Sequence, residues 1–164
     1  MLIRLQPLTL PQIDARLMGT ETVNGLHLTE DVVPHAVLAM ASAALKRGQL
    51  PQWWQPRLFL LGYPPIAVGS ATFKGEPVNG RIEIGYGVAH DYAGCGYATM
   101  GVRLMAAYAF AHPDVDEVLA ETGIDNIASR RVVQKVGFTL IGERDSEDDG
   151  LLDRWLLSRD SFSG

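Results

Sequence analysis

The segment from Arg81 to Thr99 constrains the fold more than any other part of the chain. From Arg81 to Val88 the residues alternate, with Ile82, Ile84, Tyr86 and Val88 on one side and Arg81, Glu83, Gly85 and Gly87 on the other. That period predicts a strand with one apolar face, and it points Glu83 away from that face. Small residues follow, including Gly94 and Gly96, and then a nearly all-apolar stretch, Ala98 to Ala111, whose one charge is Arg103. The stretch predicts a helix packed on most of its sides and closed by Pro113.

A strand that runs through glycines directly into a helix start makes a site for anions. The first turn of a helix has N–H groups without partners, and the helix dipole reinforces them. Gly94 and Gly96 remove the Cβ atoms that would hold a pyrophosphate away, while Ala98 and Thr99 keep the next turn uncluttered. The same glycines also suit a plain tight turn between strand and helix, so the loop alone leaves both readings open. A dinucleotide-binding turn is a third reading, because Gly94-x-Gly96 opens a helix and Glu121 ends the next strand. Against it, Thr99 occupies the third glycine position and the unit begins about halfway along the chain, with no room for a second set of parallel strands.

The rest of the chain predicts an alternation of strands and helices. Leu2 to Leu5 reads as a strand, and Thr9 with Gln12 forms a capping-box pattern for a helix ending at Gly19. A second helix is expected from Pro34 to Arg47, stopped by Gly48. Trp53-Trp54 precedes the apolar run Arg57 to Tyr63, a buried strand, and Ile66 to Lys74 is the next strand. If the two tryptophans lie on a strand they face opposite ways, so at most one lines an acceptor pocket, and core packing is the plainer role. Gly75 to Gly80 reverses the chain into Arg81. Val115 to Thr122 is a further strand, Asn126 caps a helix running to Val136, and Gly137 fits the left-handed position past its end. Phe138 to Gly142 and Leu151 to Leu157 form a last strand pair joined by an acidic connection, Glu143 to Gly150.

At 164 residues, 47% of them hydrophobic and 20% charged, the chain has the size and balance of one globular domain covering residues 1–164. The formal charge of -5, with Lys and Arg scattered singly, lacks the footprint of a nucleic-acid binder. The single cysteine, Cys95, excludes an internal disulfide, and no Cys/His spacing proposes a metal site. There is no signal-peptide layout at the N-terminus and no apolar run of the roughly 20 residues that span a bilayer. The expectation is a cytoplasmic protein, bound neither to membrane nor to nucleic acid.

Several separate stretches together resemble the GNAT N-acetyltransferases, in particular the branch of the ribosomal-protein acetyltransferases RimJ and RimL. These are Glu83-Ile-Gly-Tyr-Gly-Val88, Tyr92-Ala-Gly-Cys-Gly-Tyr-Ala-Thr99, Asp125-Asn-Ile-Ala-Ser129 and Lys135-Val-Gly-Phe138, in the family's order and separation. The family's loop pattern falls on Ala93, Gly96 and Ala98, and Ala93 departs from it by lacking the usual long side chain. The resemblance implies an α/β fold with a mixed, mostly antiparallel sheet, splayed central strands and acetyl-CoA as cosubstrate. It implies that main-chain groups of Gly94, Cys95, Gly96, Tyr97, Ala98 and Thr99 hold the pyrophosphate. Val88 would lie beside the thioester and polarise its carbonyl through its N–H, and Asn126 would face the pantetheine arm.

The same resemblance places Ser129 near the coenzyme sulfur. Many relatives have a tyrosine acid where this chain has Val133, so the departing thiolate finds its proton from Ser129, from water, or from nothing. Direct transfer to an amine also wants a base, for which Glu83 is the first candidate and Asp91 and His90 the next. Each assignment has a plain counterpart: a salt-bridged strand carboxylate for Glu83, a helix cap for Asn126, an exposed helix serine for Ser129. An acyl-enzyme on Cys95 is disfavoured, since no partner for it is identifiable. The acceptor is an amine of unspecified identity, a homodimer is among the expected assemblies, and a non-catalytic CoA-binding module is the alternative function.

Overall fold

A computed structural model describes residues 1–164. The chain opens with β1 (Ile3–Pro7), after which Thr9 caps α1 (Leu10–Leu17) with the expected box. Thr9 Oγ1 accepts from the Gln12 N–H, and Gln12 Oε1 accepts from the Thr9 N–H at 2.9 Å, so two helix-end donors are satisfied together. Next come the short strands β2 (Thr22–Val23) and β3 (Leu26–His27), paired around Asn24-Gly25. This hairpin adds to the expected elements, and its Asn-Gly turn, with both residues at positive φ (50° and 78°), is a strong hairpin signal.

α2 (His35–Lys46) follows Pro34 as expected, and α3 (Pro51–Trp54) is a single helical turn. The tryptophan pair therefore lies on a turn of helix, because Pro51 fits a first helical position and starts it there. Trp53 is buried edge-on against Phe73, with ring centroids 5.7 Å apart, and Trp54 packs near Gly75.

Strands β4 (Arg57–Leu61), β5 (Ile66–Phe73) and β6 (Arg81–Val88) form the predicted meander, and a 3-10 turn, His90–Tyr92, leads into α4 (Tyr97–Phe110). β7 (Glu117–Gly123), α5 (Ile127–Val136), β8 (Thr139–Ser146) and β9 (Gly150–Ser158) complete the chain. The stretch read as an acidic connection is mostly strand: β8 continues through Ser146, and Glu143 pairs with Asp153. β8 is an edge strand exposed along nearly its whole length, so it carries no apolar alternation to read.

The sheet order is β1-β4-β5-β6-β7-β9-β8, and only β6 and β7 are parallel. One face packs on α4 and α5 through Phe59, Phe73, Ile82, Ile84, Val118, Ala120 and Trp155. The other packs on α1 and α2 through Leu58 and Leu60. α4 presses so closely on the sheet that a Cβ at Gly101 would overlap the Phe59 ring. No helix is long and apolar enough to cross a membrane.

Candidate active site

Two features of β6 open the site. The parallel ladder runs from Arg81 opposite Glu117 to Ile84 opposite Ala120 and stops there, although β6 continues to Val88 and β7 to Gly123. On the other side, Lys74 N donates to Glu83 O at 2.8 Å and Ala89 N to Val68 O at 2.8 Å, so the odd-numbered residues of β6 bond to β5. In an antiparallel pair the intervening residues turn their main-chain groups the other way. The N–H and C=O of Tyr86 and Val88 therefore face β7, where pairing has ended. Gly69 lets β5 come this close: a Cβ there would overlap the Gly87 carbonyl oxygen.

The loop beyond Val88 brings a second set of free donors. Gly94 and Gly96 adopt φ of 76° and 84°, and Gly96 stands at the N-cap of α4 with no side chain capping the helix. No acceptor in the chain takes a hydrogen bond from the amides of Gly94 to Thr99, and the first bond of α4 is Met100 N to Gly96 O. An added Cβ at Gly94 or Gly96 would meet no protein atom. Left-handed backbone, not crowding, is what this turn requires of them.

The parted strands and the loop meet in one cleft of about 480 Å³, floored by Tyr86, Gly87 and Val88 and walled by the start of α4 and one side of α5. Of the expected residues, Val88, Gly94, Gly96, Tyr97, Ala98, Thr99, Asn126 and Ser129 line it. Cys95 does not; its side chain is exposed to solvent. Ala93 is on the wall, and Val133 is fully buried in the core, out of reach of the cleft. The charged lining residues are Arg131 and Lys135, a helical turn apart on α5, and no carboxylate lines the cleft. In a chain of net charge -5 this is a local positive site. Neither cation was expected in the site, although their own i, i+4 spacing sets them on one side of the helix.

Asn126 caps α5 and also lines the cleft. Its Oδ1 accepts from the Ser129 N–H at 3.0 Å, which leaves the two amide N–H donors outside the cap bond. Ser129 is not a free surface serine: its Oγ lies 2.7 Å from the Tyr86 hydroxyl, where either can be the donor, and its carbonyl oxygen lies 3.1 Å from the same hydroxyl as an alternative acceptor. Burial pushes the Tyr86 phenol up from its usual pKa, and the hydrogen bond to Ser129 offsets part of that rise.

Glu83 is not brought together with Ser129, because it lies on the opposite face of β6 and outside the cleft lining. There it forms an ion pair with Lys74 at 3.1 Å. Nearby on β7, Glu121 has its side chain only 7% exposed and its carboxylate bridged by Arg144 at 2.6 Å and Arg154 at 3.5 Å. The Arg144 hydrogen bonds hold the Glu121 carboxyl below its usual range. The Glu83, Lys74 and Glu121 cluster is thus reached from the side of the sheet opposite α4 and α5. His90 and Asp91 are exposed on the 3-10 turn, which Asp31 anchors by accepting from the His90 N–H at 2.9 Å.

Comparison with known proteins agrees with this geometry. A family model described as an acetyltransferase (GNAT) domain matches residues 5–139. The FsC-acetyl coenzyme A-N(2)-transacetylase of Aspergillus fumigatus is 34% identical over 92 residues, covering 56% of this chain and 35% of that protein. The chain thus spans about a third of that relative's length. Among solved structures, aminoglycoside acetyltransferase AAC(6')-Ib in complex with coenzyme A superposes with a TM-score of 0.67 at 20% identity, covering 97% of this chain and 96% of that one. RimJ of Mycobacterium smegmatis in complex with CoA-disulfide superposes with a TM-score of 0.69 at 19% identity, covering 96% and 82%. At these identities the superpositions establish a shared fold.

Proposed function

The chain belongs to the GNAT acetyltransferases, and from that membership we propose that it moves an acetyl group from acetyl-CoA directly to an amine, a protein N-terminus or a small-molecule amine. The observation that carries this reading is the parted β6/β7 pair opening beside unbonded amides in a cation-lined cleft. Pantetheine lies in the gap, where the Tyr86 and Val88 main-chain groups bond it as a neighbouring strand would. The amides from Gly94 to Thr99 hold the pyrophosphate, with Cys95 contributing its N–H alone, and Arg131 and Lys135 pair with phosphate charge.

Beside the sulfur, the Val88 N–H polarises the thioester carbonyl, Asn126 donates to the arm, and Ser129 faces the departing thiolate. The acceptor enters from the other face. Its nitrogen attacks the acetyl carbon and gives its proton, directly or through one water, to Glu83, which exchanges its contact with Lys74 for the incoming amine. This reading places the enzyme in the cytoplasm as a single domain of the RimJ/RimL-like branch, working without metal, membrane or nucleic acid, with a homodimer as its assembly.

The Lys74 pairing of Glu83, together with a valine at 133 in place of a tyrosine acid and an alanine at 93 in place of a long side chain, favours one second reading, a module that binds CoA without turning it over. Amine-dependent release of free thiol from acetyl-CoA, measured on a panel of peptide N-termini, aminoglycosides and polyamines, separates the two. The transferase reading expects turnover by the parent and a fall in kcat on the order of a hundredfold in Glu83→Gln. Coenzyme binding with no thiol release from any amine would establish the module instead.

A further inference from the structure

The cleft contains one pair of mutually bonded side-chain hydroxyls. Tyr86 lies two residues before Val88 on the same side of β6, and its ring reaches the first turn of α5. Its hydroxyl is 2.7 Å from Ser129 Oγ and 3.1 Å from the Ser129 carbonyl oxygen. No carboxylate or imidazole lines the cleft around them.

With one hydrogen on each hydroxyl, two arrangements exist. If the phenol donates to the Ser129 carbonyl, the serine hydrogen turns back onto the phenol oxygen and away from the cleft. If the phenol donates to Oγ, the serine hydrogen is released toward the cleft and its O–H is polarised by the bond that Oγ accepts. A sulfur gaining negative charge beside Ser129 is stabilised only by the second arrangement.

We propose that Tyr86 is a positioning residue that donates to Ser129 Oγ and thereby aims the Ser129 O–H at the departing coenzyme sulfur. This rests on the reading that the sulfur comes to lie beside Ser129. As the amine nitrogen bonds to the acetyl carbon, the C–S bond breaks and its electron pair passes to sulfur. The nitrogen loses its proton to the base or to solvent. The thiolate leaves held by the Ser129 hydrogen bond and takes its proton from solvent afterwards, so no proton departs from Tyr86. Burial raises the phenol's pKa and so favours the neutral, donating form.

The test uses coenzyme A bound to the full chain, alkylated by iodoacetamide across a pH series and read by the mass of the released coenzyme, so that Cys95 does not interfere. A hydrogen bond from Ser129 favours thiolate and lowers the pH at which the bound thiol becomes reactive. The parent should titrate about one unit lower than either Tyr86→Phe or Ser129→Ala. The double variant should match Ser129→Ala. Arg131 and Lys135, the charges lining the cleft, are common to all four proteins.

If Ser129→Ala titrates like the parent, the sulfur does not lie beside Ser129 and the underlying reading fails. If Ser129→Ala shifts while Tyr86→Phe does not, or the two shifts add, the Tyr86 role alone is overturned. A larger loss of CoA affinity in Tyr86→Phe than in Ser129→Ala would also overturn it, by making the phenol a support of the cleft wall.

Discussion

Two glycines of the same helix region have opposite physical reasons to be glycine. Gly96 has a φ of 84° and open space where a Cβ would project. Gly96→Val should therefore cost about 1–2 kcal/mol of stability from left-handed backbone, yet abolish CoA binding by calorimetry, because the side chain enters the phosphate site. Gly101 has ordinary helical backbone but no room beside Phe59. Gly101→Val should lower stability by at least about 1–3 kcal/mol in thermal or urea denaturation, through overpacking. The first requirement is legible in the sequence, since Gly96 stands between a strand pattern and a helix pattern. The second is not, since Phe59 is distant in the chain and only the fold brings it there. Glu83 and Ser129 fall between these cases: periodicity and motif place them, but their partners Lys74 and Tyr86 emerge from packing.

Among the elements, α5 ties the fold to the site most directly. Asn126 caps it and lines the cleft, so Asn126→Ala should remove about 1 kcal/mol of stability and also weaken CoA binding. Denaturation and calorimetry on the same variant check both halves, and retained affinity would reduce Asn126 to a cap. The cap was readable because Asn126 directly precedes the helical pattern of α5. In the same way β6 was readable because its alternation switches abruptly into glycines. β8 was not, because an edge strand in water has no buried face to impose a period on its residues. Nor was α3, where one turn of helix is too short for a periodic signal and Pro51 alone marks its start.

At the scale of the whole molecule, the sheet separates two electrostatic environments. The cleft on the α5 side is lined by cations, while on the other face Glu121 is locked between Arg144 and Arg154. The folded-state carboxyl of Glu121 titrates below its unfolded value, so its contribution is complete above the ordinary carboxylate range and disappears as pH falls through the depressed folded pKa. Glu121→Gln should accordingly cost about 1–3 kcal/mol at neutral pH, with the difference from the parent shrinking in acid. Equal urea midpoints at neutral pH would contradict this.

The central claim is that a gap between parted strands and a run of unbonded amides together grip the coenzyme, and hydrogen exchange resolved by residue tests it most directly. Saturating CoA should slow exchange at Val88 and from Gly94 to Thr99 while leaving the strand core of β4 and β5 unchanged. Fast exchange at those amides in a protein demonstrably saturated with coenzyme would contradict the account.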